Sequence, residues 1–191
     1  MRNEMYFIEA FFAHYRALGV EQFLILDDRS DDGTAEFLAA QPDCVVLRSD
    51  LGFGHEVFIR RPDGKLEKKR AGTLFKRAIP EKYLLGQWGI YVDADEFLVL
   101  PSGVNSIRDV LGQLDAAGVN TVVAAVIDFY PEDLSGLYGS DRVASLSDLL
   151  KRYCFFDAVP IVRLVAGKQP RTLQVPASSR LFRSFGIKEP R

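Results

Sequence analysis

The sequence predicts an α/β protein: a three-layer α/β/α sandwich with a mostly parallel, Rossmann-like sheet. Three observations carry this. Apolar runs at 22–26, 45–47, 88–92 and 121–127 read as strands, rich in aromatic and branched residues and free of internal charge. Segments with helical spacing fall between them. Two of the strands, 22–26 and 88–92, then run straight into carboxylates, as expected where the carboxyl ends of a parallel sheet form a ligand crevice.

In chain order, Asn3 is a good N-cap and Glu4 suits a first helical turn. Phe7, Ile8, Phe11, Phe12, Tyr15 and Leu18 recur at helical spacing and form a core stripe, with His14 at its polar edge and Gly19 as the stop. Strand 22–26 follows, then a turn through Ser30 to Thr34 and a helix over 35–40. After strand 45–47, the segment 58–65 predicts a hairpin around Pro62-Asp63-Gly64. A helix is expected over 70–85, with a kink or break at Pro80. Its Arg70, Lys76 and Arg77 form a solvated face or meet a diphosphate. Beyond 88–92, an amphipathic helix covers 106–117, closed by Gly118, and a short helix covers 145–150. There are no internal repeats or low-complexity linkers, which predicts one domain over 1–191.

Composition narrows the function classes. The chain has 191 residues, enough for one domain with a real core. A net charge of −2 without a basic block argues against nucleic acid as a partner. Cys44 and Cys154 match no metal spacing and read as buried thiols, consistent with a reducing, cytoplasmic setting. No apolar run reaches membrane-spanning length, so any membrane association is expected through another segment of the full-length protein.

The chemistry concentrates where the strands end. Trp88 to Val92 leads into Asp93-Ala94-Asp95-Glu96, and a buried strand ending in acids needs a reason: Asp93 and Asp95 either cap a turn or hold a ligand. On an extended backbone Asp93 and Asp95 share one face, with small Ala94 leaving room between them. Such a pair can hold Mn²⁺ or Mg²⁺, and through it a diphosphate. The other strand delivers Asp27-Asp28-Arg29-Ser30-Asp31-Asp32-Gly33-Thr34 to the same side. A calcium-loop pattern starting at Asp28 fails, because Ala39 stands where its bidentate Glu belongs.

Arg2-Asn3-Glu4, the stretch Leu26 to Thr34, and Val92-Asp93-Ala94-Asp95-Glu96-Phe97-Leu98 together resemble the family 2 glycosyltransferases. The closest likeness is to the branch whose metal motif reads Asp-Ala-Asp-Glu-Phe. The resemblance covers 1–131 and implies a nucleotide-sugar-binding half there, followed by a partial acceptor-side half over 132–191. It implies a glycosyltransferase A fold and inverting transfer from a UDP- or GDP-sugar to a glycan or lipid-linked acceptor. Asp93 and Asp95 would be the metal residues, and Asn3, Asp27, Asp28, Asp32 and Asp93 would line the donor site, with Asp27 on base or ribose. The general base is open: Asp157 and Asp128 are the candidates, with Glu132 and Asp133 behind them. The family's first strand precedes Asn-Glu and has no room here, and the residues after 169 hold no closing element. The reading therefore expects truncation at both ends and a weak or inactive transferase. Two other functions fit the same acids: a non-catalytic nucleotide-sugar-binding module, and a nucleotidyltransferase, which would normally carry a Gly-rich basic loop after its first strand.

Overall fold

A computed structural model describes residues 1–119, 122, 124, 126–132, 142–156, 162–163 and 171–172. The chain gathers into two compact units, Met1–Ala117 with Ser140–Leu146, and Gly118–Gly139 with Ser147–Arg191.

The aromatic stripe builds the core of the first unit. Helix α1, Ile8–Ala17, buries Ile8, Ala10, Phe11, Phe12 and Tyr15, and Gly19 ends it at a φ of 94°. The helix begins later than predicted. Asn3 is not its cap; it sits at a φ of 58°, and Phe7 holds the cap position without a side-chain hydrogen bond. The Asn3 amide is engaged elsewhere, by the loop after the first strand, and so cannot cap.

Strand β1, Phe23–Asp27, packs Phe23 and Ile25 against Phe11, Phe12 and Tyr15, with Leu38 completing the cluster from helix α2, Thr34–Ala39. Strand β2, Cys44–Arg48, runs parallel to β1, with Phe23 opposite Cys44 and Asp27 opposite Arg48. On the other edge of β1, Met1 adds a single rung. Its amino group donates to the Leu26 carbonyl at 2.6 Å and its carbonyl accepts from Asp28 N–H at 2.8 Å.

Strands β3, Glu56–Arg60, and β4, Leu66–Arg70, form the predicted hairpin, with Gly64 at a φ of 81° in the turn. Helix α3, Ala71–Tyr83, contains Pro80. Helix α4, Ile107–Ala116, is capped by Ser106 Oγ, which accepts from Arg108 N–H at 3.1 Å.

Segment 88–92 departs from the prediction of a buried strand. It joins no ladder, and Trp88, Ile90 and Tyr91 are 37%, 39% and 56% exposed. Its aromatics find partners at their polar or π faces instead. The Trp88 indole donates to Asp115 Oδ1 at 2.9 Å, and the Lys76 ammonium lies 5.0 Å from the Tyr91 ring centre. Of the predicted strand at 121–127, the described residues 122, 124, 126 and 127 are also outside any ladder.

In the second unit, β5, Phe129–Tyr130, pairs antiparallel with β6, Phe155–Phe156, and β7, Val162–Arg163, with β8, Arg171–Thr172. Helix α5, Leu146–Arg152, matches the expected short helix. The protein is thus mixed α/β with small two-stranded sheets, of which β1–β2 is parallel. No helix among the described residues is long and apolar enough to cross a membrane. Both cysteines are free thiols. Cys44 is half-buried, and burial pushes its pKa up to about 11; Cys154 is exposed, against the expectation that it is buried.

Candidate functional site: acids around the end of β1

Asp27 ends β1 and is buried, with Oδ1 accepting from Ser30 N–H at 3.3 Å, so the chain turns as it leaves the strand. Asp28 Oδ2 accepts from Phe53 N–H at 3.0 Å and ties the 50–55 loop to the strand end. Within that loop His55 Nδ1 accepts from Gly52 N–H at 2.9 Å. Arg29, at a φ of 62°, donates from its guanidinium to the Asp50 carbonyl.

The rest of the loop is stitched to residues 3–5. Asn3 N–H donates to Ser30 Oγ at 3.0 Å. The Asn3 side chain and Asp31 form a clasp, with Asn3 Nδ2 donating to Asp31 Oδ1 at 2.8 Å and Asp31 N–H donating to Asn3 Oδ1 at 2.9 Å. Glu4 N–H donates to Thr34 Oγ1 at 2.9 Å, and Met5 N–H to Asp32 Oδ2 at 3.1 Å. Asp32 Oδ1 accepts from both the N–H and the hydroxyl of Thr34, at 3.0 and 2.6 Å. Burial pushes the Asp32 carboxyl up, but the bonds from Thr34 and Met5 outweigh it and hold the group below its usual range. Asp28 and Asp32 therefore brace the loop.

The predicted metal motif is a turn. Glu96 N–H donates to the Asp93 carbonyl at 3.1 Å, and Asp93 N–H donates back to Glu96 Oε2 at 2.9 Å. Extended-strand alternation does not place Asp93 and Asp95 on one face, because the backbone folds between them. Both are exposed all the same, flanking Ala94, which is buried.

Helix α1 mounts this turn. The Tyr15 hydroxyl donates to the Glu96 carbonyl at 3.0 Å and accepts from Leu98 N–H at 3.1 Å. His14 Nε2 donates to the Leu98 carbonyl at 2.8 Å, and its ring lies 5.4 Å from that of Phe97. Burial pushes the Tyr15 phenol up, against the bond from Leu98. Sequence reasoning placed His14 at a polar edge and Tyr15 in the core stripe, and so missed both as anchors. The signal was the hydroxyl itself: a Tyr among Phe residues on a buried face must find a partner for its oxygen.

Charge couples the three segments. Burial pushes the Glu4 carboxyl up, and Asp95, Asp32 and Asp93 add to this while the Met1 ammonium opposes it. The Met1 ammonium is pushed down by burial and pulled up by Glu4, Asp27, Asp28 and Asp93. Lys76 is held above its usual range, first by a hydrogen bond with Tyr91 and then by Asp93. Tyr91 O–H reaches Asp93 Oδ1 at 3.4 Å. Of the other cations on α3, Arg77 pairs with Glu81 at 2.7 Å.

Among the described residues no three His, Cys, Asp or Glu side chains converge as a ready ligand set. Asp128, half-buried just before β5, and the exposed Glu132 belong to the second unit. Asp157 and Asp133 lie outside the described residues. A surface groove of about 580 Å³ along α4, lined by Val104, Arg108, Asp109 and Gln113, contains none of these acids. A scan against protein-family models returns no match, and searches of curated proteins and of solved structures return none.

Proposed function

We propose that the chain is a glycosyltransferase of the family 2 type, moving a sugar from a UDP- or GDP-sugar to an acceptor hydroxyl with inversion, on a three-layer glycosyltransferase A scaffold. One observation carries the reading. Residues 3–5 hydrogen-bond to the loop after β1, while Tyr15 and His14 of α1 hold residues 96–98 beside the Asp93–Asp95 turn, and Val92, Phe97 and Leu98 pack on the same core as β1. Three segments far apart in sequence are thus tied to one cluster, and they are the three that carry the family resemblance.

In this reading Asp93 and Asp95 hold Mn²⁺ or Mg²⁺, which when bound neutralises the charge of the leaving diphosphate. Both carboxylates are exposed, which supports this assignment. Two acids also leave most of the coordination to phosphate oxygens and water. Asp27 accepts from ribose hydroxyls or a base N–H, with Asn3 holding the loop beside it. Asp128 and Asp157 are the candidates to take the acceptor's proton.

Calorimetry with UDP tests the site. Wild type binds in the presence of Mn²⁺, and Asp95→Ala loses the metal-dependent part; equal affinities would overturn the reading. A nucleotide-sugar panel then separates the functions, with sugar transfer marking the transferase. Binding without turnover would mark a module, and pyrophosphate release a nucleotidyltransferase.

A further inference from the structure

We propose that the β3–β4 hairpin is a docking surface for an anionic lipid membrane, with Phe58 and Leu66 entering the headgroup layer and Arg60, Lys65 and Arg70 meeting lipid phosphates. This inference is independent of the transferase reading.

The pleat decides which side chains share a face. In the antiparallel register Glu56 stands opposite Arg70, Phe58 opposite Lys68, and Arg60 opposite Leu66. All six are exposed, whereas Val57, Ile59, Glu67 and Lys69 on the other face are half-buried. The outward face should then be the polar one. It carries instead a Phe and a Leu that are 67% and 62% exposed. They are diagonal neighbours on this face, two rungs apart, within reach of one another as a single apolar spot.

Cations surround that spot. The outward face carries Arg60, Lys68 and Arg70 against one acid, Glu56, and Lys65 is exposed at the turn, in a chain whose net charge is −2. Each acid of the hairpin already has a basic partner: Glu56 with Lys68 at 2.7 Å, Glu67 with Lys69 at 3.6 Å, and Asp63 with Arg61 at 3.9 Å. Arg60, Lys65 and Arg70 have no carboxylate partner among the described residues. A lipid surface answers both halves of this pattern, because its phosphates meet the cations while the layer beneath takes Phe58 and Leu66 out of water. A nucleic acid would meet the cations but leave Leu66 exposed.

Co-sedimentation of the full chain with phosphatidylcholine vesicles, with and without added phosphatidylglycerol, tests this. Binding is expected on the anionic vesicles alone, weakening with salt. Arg60→Gln with Arg70→Gln should reduce it by about fivefold for each charge, since a basic residue near such a surface contributes about that factor. Phe58→Ser with Leu66→Ser should reduce it about tenfold or more. All four side chains are exposed, so thermal unfolding followed by circular dichroism should not change in either variant. Absence of binding, equal binding to both vesicle types, or undiminished binding by either variant would overturn the proposal. So would a preference for duplex RNA over anionic vesicles.

Discussion

Tyr15 holds two backbone groups that no helix or sheet satisfies, the Glu96 carbonyl and the Leu98 N–H. Tyr15→Phe keeps the ring and removes the oxygen, leaving both groups to find water at a residue that is 2% exposed. The expected loss is about 1–3 kcal/mol, read as a lower urea midpoint. An unchanged midpoint would mean that solvent replaces the hydroxyl and that the anchor is dispensable. Glu4 gives a pH signature. Its folded-state carboxyl is raised by burial, then by Asp95, Asp32 and Asp93. The folded form therefore holds the proton more tightly. Glu4's contribution favours folding fully below its ordinary value of 4.5 and is lost as pH rises through the raised range. A divalent cation beside Asp95 should draw that titration back down, and by linkage the cation should bind more tightly as pH rises through it. Carboxyl NMR titration of Glu4 with and without Mg²⁺ reads this directly, and superimposable curves would separate Glu4 from any cation at Asp93 and Asp95. Neither effect is legible in sequence. Tyr15 looks like one more core aromatic, and the coupling of Glu4 to Asp95 spans most of the first unit.

The elements that sequence located well are those with local punctuation. Helix α1 stops at Gly19, α4 starts at Ser106 and is followed by Gly118 at a φ of 67°, and the hairpin turns at Gly64; a φ of this sign favours glycine at each stop. The joints between elements carried no such mark. Gly72, in the first turn of α3, donates its N–H to the Phe53 carbonyl at 3.0 Å. A Cβ there would lie 2.9 Å from Phe53 Cδ1 and 3.1 Å from the Phe53 carbonyl oxygen. Because Phe53 N–H is also held by Asp28, this contact fixes the 50–55 loop against the end of β1. Gly72→Ala should therefore destabilise the protein by about 1–3 kcal/mol, as overpacking does, and should weaken any nucleotide binding at that loop. A variant as stable as wild type in urea would show that the loop shifts freely.

At the scale of the molecule, the buried core found among the described residues is the cluster of Met5, Ile8, Phe11, Phe12, Tyr15, Phe23, Ile25 and Leu38, which joins α1, β1 and α2. Hydrogen exchange should follow it, with amides of α1 and β1 exchanging last and those of 88–91, exposed and outside any ladder, exchanging early. Protection at 88–91 equal to that of β1 would return this segment to a sheet. The α/β class, the order of the helices, the β1–β2 strands and the hairpin followed from sequence alone. Each depends on periodicity, a turn residue or a cap within a few positions, which a single chain segment displays. The carboxylates were legible as candidates for the same reason, since acids at the ends of apolar runs stand out. Which strands pair depended on partners elsewhere in the chain. An apolar run such as 88–92 has strand composition, but its backbone enters a ladder only if another strand presents free N–H and C=O groups beside it. The orientation of Asp93 and Asp95 was decided in the same way, by the Glu96 side chain closing a turn and by Tyr15 and His14 holding that turn from α1. Those are long-range hydrogen bonds between groups with no common sequence pattern, and only the folded chain brings them together.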